Sequence, residues 1–340
     1  MDRALPISLA DETRSATEPH SESITLAESL IRGGAEAEHI VSAARIFSLE
    51  GRRDRAIETL RQGILAHPRS VEILSLLGDL LSRAGTFEEA DLYFRQAIEA
   101  SPENAEAWYR QGLHHARQGQ WPLARAAYGA AVQRDPHHVR GWVNLGLARA
   151  DLGDREGAMG ALRVALNLDP ACGEAHSNLG VLYAEAGMRA EAIEEFRKAV
   201  TLEPESSEAH FNLGWALLAE DDAEQAESML LAAVRLDPAN VESLYALALL
   251  HLRLGNYARA IAELKLGIDH RPEDARLHYH LGVAYNSQDA VDQAILALEC
   301  AARLKPEDAR VHRLLGVAYD KKELPVRARE AYRRAAALIG

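Results

Sequence analysis

Apolar and small residues recur along this chain at fixed places in a period of thirty-four residues, and each period divides into two amphipathic halves that read as a pair of helices. The register is set by Pro68, Pro102, Pro136, Pro170, Pro204, Pro238, Pro272 and Pro306, each thirty-four residues from the next. With this proline at place 32, the periods begin at Ala37, Val71, Ala105, Val139, Gly173, Ser207, Val241, Ala275 and Ala309. A period of this size marks stacked supersecondary units. Place 20 is alanine in every copy, from Ala56 to Ala328, which requires two helices crossing too closely for a larger side chain. Place 8 is glycine in seven copies, from Gly78 to Gly316, and alanine at Ala44 and Ala248. Glycine within a helix costs about 1 kcal/mol relative to alanine, so close packing has to offset it. Large residues at place 24, such as Leu60, Phe94, Tyr128 and Tyr332, are expected to fill the space between neighbouring units.

The punctuation agrees with this division. Gly51, Gly85, Gly119, Gly153, Gly187 and Gly255 stand at place 15, where a helix C-terminus favours a residue of positive φ. Asp221, Asp289 and Glu323 replace glycine there and are expected to turn differently. The proline of place 32 follows the second helix, which it cannot continue.

These places resemble the tetratricopeptide repeat, with an aromatic at place 4, Leu-Gly at 7 and 8, an aromatic at 11, Ala at 20, an aromatic at 24, Ala at 27 and Pro at 32. The resemblance covers Ala37 to Gly340. It implies an all-α fold, a right-handed superhelical solenoid of antiparallel helix pairs, with nine repeats at 37–70, 71–104, 105–138, 139–172, 173–206, 207–240, 241–274, 275–308 and 309–340. His176, His210, His278 and His312 at place 4 are expected to pack within their own units rather than bind metal, since they lie a full repeat apart. Residues 23–36 read as a capping helix, with Ser23 as N-cap, Ile24, Ala27, Leu30 and Ile31 on one face and Gly34 as the stop. Residues 1–22 are polar and broken by two prolines, and are expected to be disordered.

Composition narrows the function classes. No apolar run approaches the roughly 20 residues that cross a bilayer, and the start lacks a basic region followed by an apolar one, so a cytoplasmic location without membrane insertion is expected. The formal charge of −13 argues against nucleic acid as a partner and favours solubility. From Arg303 to Arg334, however, ten Lys or Arg face five Asp or Glu, a basic end suited to an acidic partner or to homo-oligomer contact through terminal repeats. The two cysteines, Cys172 and Cys300, form no CxxC pair, and in this fold they are expected to lie too far apart for a disulfide.

There is no phosphate loop, no HExxH, no GxSxG and no acidic metal loop, and the doublets His114-His115 and His137-His138 lack a third ligand. The repeats occupy almost every residue a catalytic domain would need. The expectation is a non-enzyme without cofactor or metal: a scaffold or adaptor that holds a peptide or partner protein. Two alternatives stay open, a self-assembling structural protein and the adaptor subunit of an enzyme complex such as one for protein glycosylation.

The resemblance also implies where a partner would lie, because in this family places 2, 5, 6, 9, 12 and 13 of the first helix line the concave face. Place 6 then offers Asn144, Asn178 and Asn212, whose amides both donate and accept. This short row resembles the asparagine ladder of the superhelical repeat domains attached to O-linked sugar transferases, and it implies peptide holding only. An inter-unit hydrogen bond is the competing role for each asparagine. Place 5 carries Tyr109, Phe211, Tyr245 and Tyr279, joined by Trp215 at place 9, in a chain with only 6% aromatics. Place 2 is mostly glutamate, from Glu38 to Glu242, until Arg276, Arg310 and Arg313 reverse the sign, so an extended ligand is expected to run with basic groups centrally and acidic groups at the far end.

Overall fold

The computed structural model describes residues 21–33 and 36–339 of the chain; of the segment 1–22 expected to be disordered, residues 1–20 lie outside the described residues and residues 21 and 22 are instead helical, while the expected stop at Gly34 also lies outside the described residues. Among the described residues there is no strand. A short helix, α1 (Ser21–Gly33), precedes the pairs α2 (Ala37–Leu49) with α3 (Arg53–Ala66), α4 (Val71–Arg83) with α5 (Phe87–Ala100), α6 (Ala105–Arg117) with α7 (Trp121–Arg134), and α8 (Val139–Asp151) with α9 (Arg155–Leu168). There follow α10 (Gly173–Glu185) and α11 (Arg189–Leu202), then α12 (Ser207–Ala219) with α13 (Ala223–Leu236), α14 (Val241–Arg253) with α15 (Tyr257–His270), α16 (Ala275–Ser287) with α17 (Val291–Leu304), and α18 (Ala309–Lys321) with α19 (Pro325–Ala337). The architecture is an all-α solenoid of helix pairs. No described helix is long and apolar enough to cross a membrane.

Contacts divide the chain into two compact units, Met1–Leu182 and Tyr183–Gly340, the divide falling within α10. In the first, Ala27 of α1 is fully buried in one cluster with Phe47, Leu60, Leu77 and Phe94, against which Ile24 and Leu30 also pack. A second cluster joins Tyr109, Tyr128, Leu145 and Ala161. In the second unit, Leu264, Leu277 and Leu281 form one cluster and Leu298, Leu315 and Tyr319 another.

Helix starts follow from capping. The residue at place 34 accepts a backbone N–H from three residues on at Ser70, Asn104, His138, Ser206 and Asn240, and from two on at Asp274 and Asp308. Two expectations are corrected. Ser23 is not an N-cap: α1 begins at Ser21, and the Ser23 hydroxyl donates to Glu50 Oε1. Asp221, Asp289 and Glu323 do not turn differently, for their φ angles of 66°, 57° and 59° lie in the left-handed region alongside the glycines of the same place. The helix pair dictates that turn whatever residue fills it. The large residues of place 24 join neighbouring repeats, Phe94 with Leu60 and Phe47, Tyr128 with Leu145 and Leu264 with Leu277, and they also fill their own repeat, since a Cβ on Gly112, Gly214, Gly282 or Gly316 would meet Tyr128, Leu230, Leu298 or Tyr332 within 2.5–2.7 Å.

Candidate functional site

In the second unit the first helices α12, α14, α16 and α18 lie side by side in a row. Phe211 and Trp215 sit one turn apart on α12 and stack, centroids 6.2 Å apart and planes at 29°. Phe211 is 5% exposed and Trp215 38%, so the buried ring supports the open one. On α14 and α16 a second group forms around a residue the sequence did not single out as a ligand contact. The His280 ring lies edge-on to Tyr245 at 5.3 Å and to Tyr279 at 4.9 Å, and its Nδ1 donates to Arg276 O at 2.9 Å. Burial pushes the His280 pKa down, which keeps the ring neutral. Guanidinium groups cover both tyrosines, Arg276 at 5.0 Å from the Tyr245 centroid and Arg310 at 5.5 Å from that of Tyr279.

These arginines are not equally available. Arg276 is bound by Asp274 at 2.7 Å and Glu242 at 3.0 Å, and its pKa is raised, first by the Asp274 hydrogen bond. Glu242 also takes Arg271 at 2.7 Å, so the place-2 acid is largely neutralised. Arg310 is paired with Asp308 at 2.7 Å, yet its side chain is 68% exposed. The hydrogen bond from Arg310 holds the Asp308 carboxyl below its ordinary range. Arg313 is exposed and has no carboxylate partner among the described residues.

In the first unit Tyr109 is 6% exposed, and burial pushes its pKa up to about 12. Its hydroxyl accepts from Asn144 Nδ2 at 3.4 Å, and the same amide donates to Arg140 O at 3.0 Å. Asn144 thus ties one repeat to the next, the competing role foreseen for it. Asn178 is also buried, with Nδ2 lacking a partner, and Asn212 of the second unit is 4% exposed.

The place-4 rings follow one rule, a hydrogen bond that adds a tie to the preceding repeat. Trp108 and Trp142 Nε1 donate to Pro102 O and Pro136 O at 2.9 Å. His176, His278 and His312 Nε2 meet Pro170 O, Pro272 O and Pro306 O at 3.1, 2.8 and 2.7 Å. Each bond reaches back to the proline that closes the preceding repeat, and only His210 departs, using Nδ1 on Ser206 O.

A cleft of about 750 Å³ in the first unit, lined by Phe87, Asp91, His114, His115, Gln118 and Leu123, went unread in the sequence. His114 is satisfied there, with Nδ1 on Ser82 Oγ at 3.0 Å and Nε2 beside the Gln118 amide at 2.9 Å. Burial, aided by the neighbouring His115, lowers its pKa to about 4. Among the described residues no group of three or more His, Cys, Asp or Glu is placed to hold a metal ion. Cys172 and Cys300 are both free thiols.

Residues 43–105, 76–137, 109–172 and 143–207, and then 183–250, 217–281 and 251–318, match the tetratricopeptide repeat. Among solved structures, a chain of the APC/C hetero-tetramer Cut9-Hcn1 superposes with a TM-score of 0.62 at 18% identity, over 86% of this chain and 58% of that one. PilF of Pseudomonas aeruginosa gives 0.53 at 23% identity, over 58% of this chain and 90% of that one. Likeness at this identity concerns the fold alone. No curated protein matches the chain.

Proposed function

The chain belongs to the tetratricopeptide repeat family, and from that premise we propose that it is a non-catalytic scaffold whose first helices hold an extended segment of a partner protein. Repeats of this family support a role in protein interaction in general, and here the second unit offers the surface for a peptide. The observation that carries it is Trp215, a large ring left 38% exposed on top of a buried Phe211, on the same row of helices as the Tyr245, His280 and Tyr279 rings. Aromatic anchors of this kind dominate binding energy in protein interfaces. Arg313 and the outward side of Arg310 supply the charge for acidic groups at one end of the segment.

The test is capture of partners from native lysate by the full chain, by Trp215→Ala and by Arg313→Glu, with helicity checked by circular dichroism. Trp215→Ala should lose the partners taken by the wild type, and Arg313→Glu should weaken those whose retention falls with salt. Retention of the same partners at the same strength by both variants refutes peptide holding along the second unit. Group transfer by the isolated chain would refute the non-catalytic reading.

A further inference from the structure

His251 lies in the last turn of α14, 1% exposed, with each ring nitrogen on a carboxylate from a different helix. Nδ1 is 2.8 Å from Glu263 Oε1 on α15, and Nε2 is 3.2 Å from Glu227 Oε1 on α13. Ionised carboxylates only accept hydrogen bonds, and a neutral imidazole has one N–H to give. The arrangement therefore suits the imidazolium, which donates at both nitrogens. Glu227 Oε1 also accepts from Arg259 of α15 at 3.0 Å. With His251 protonated the two acids, the guanidinium and the ring balance. Without that proton the group is left with one net negative charge and a nitrogen lone pair facing a carboxylate oxygen, beside a ring that is itself nearly closed to water, where such a contact is costly.

We propose that His251 is a proton-operated latch that ties α13 to α15 across α14, and so holds the helix pair α12 and α13 against the pair α14 and α15. The charged groups facing the ring are Glu227 from α13 and Glu263 and Arg259 from α15. On its own helix Arg253 is engaged by Asp221 and by Leu218 O. The neighbouring first helices α12 and α16 carry Glu208 and Arg276 in their first turns. Arg276 pairs with Glu242 in the first turn of α14, at the end away from His251. The hydrogen bond to Glu263, reinforced by that to Glu227, outweighs burial and raises the His251 pKa. The latch is then fully made below the unfolded value of about 6.5 and is released as the pH rises through the higher folded value. Release loosens the frame that carries Phe211, Trp215 and Tyr245, which makes the row of first helices in this unit sensitive to pH.

The latch is tested on the full chain without any partner, so its failure is separate from that of the peptide-holding reading. Nitrogen NMR of the His251 ring should report both nitrogens protonated at a pH of about 6, with a midpoint above the ordinary histidine value of about 6.5 that falls in Glu263→Gln. Hydrogen exchange from a pH of about 6 to about 9, corrected for the intrinsic rate, should lose about tenfold or more protection in α14 relative to α18, the loss expected of a hydrogen bond to a charged group. In His251→Gln that pH-dependent loss should vanish. A neutral ring at the lower pH, or equal protection of α14 at both ends, overturns the latch. Should Glu263→Gln unfold the pair, the titration of the wild-type ring decides alone.

Discussion

A Cβ built on Gly282 falls 2.5 Å from Leu298 Cγ, whereas one built on Gly129 meets nothing within 4 Å. Leu298 is fully buried and has nowhere to retreat, so Gly282→Ala should cost about 1–3 kcal/mol in urea unfolding. Gly129→Ala, within α7, should instead gain up to about 1 kcal/mol by helix propensity. Equal effects of the two would remove the argument that place 8 is kept small by its packing. Glu323 offers a cleaner view of turn strain. It holds φ of 59° without a glycine, and Glu323→Gly should stabilise the chain by about 1 kcal/mol, read from the same unfolding curve. At this scale the sequence exposed the close contacts, because a site that admits only glycine or alanine in copy after copy announces its neighbour. It could not rank the rings of α12. Phe211 and Trp215 stand four residues apart on one helix face, and which of them is covered depends on side chains from elsewhere in the fold.

Between elements, the exchange of tryptophan and histidine at place 4 has a single cause, a ring N–H within reach of the carbonyl of the proline six residues before it. Trp142→Phe keeps the apolar ring and removes the donor, so it should cost about 0.5–1.5 kcal/mol. Trp142→His should recover part of that loss, and a phenylalanine as stable as tryptophan would show that packing alone holds the position. The proline series was legible as punctuation, and so were the helix pairs that it separates. The bond was not, because the pattern of places records which residue types recur and not which atoms meet. The same blindness hid His251. It occupies place 11, where an aromatic is expected, while Glu227 and Glu263 look like ordinary solvated carboxylates of second helices until α13, α14 and α15 are packed.

At the scale of the whole molecule, two buried histidines are expected to give the two units opposite responses to pH. His114 in the first unit has its Nε2 beside the Gln118 amide and a pKa lowered to about 4, first by burial. Its folded value lies below the unfolded one of about 6.5, so the stability it contributes is complete above that value and is lost as the pH falls toward about 4, by an amount of order 3 kcal/mol. His251 in the second unit is raised, first by the Glu263 hydrogen bond, and its contribution is lost as the pH climbs. Hydrogen exchange resolved by helix separates the two. Acidification should strip protection from α6 and α5 while α14 holds, and alkalinisation should strip α14 while α6 holds. His114→Gln should flatten the acid limb alone, since Ser82 and Gln118 remain to engage a neutral amide. If α6 and α14 instead lose protection together at either extreme, the units respond to net charge as a whole, and the local protonation of these two rings does not govern their stability.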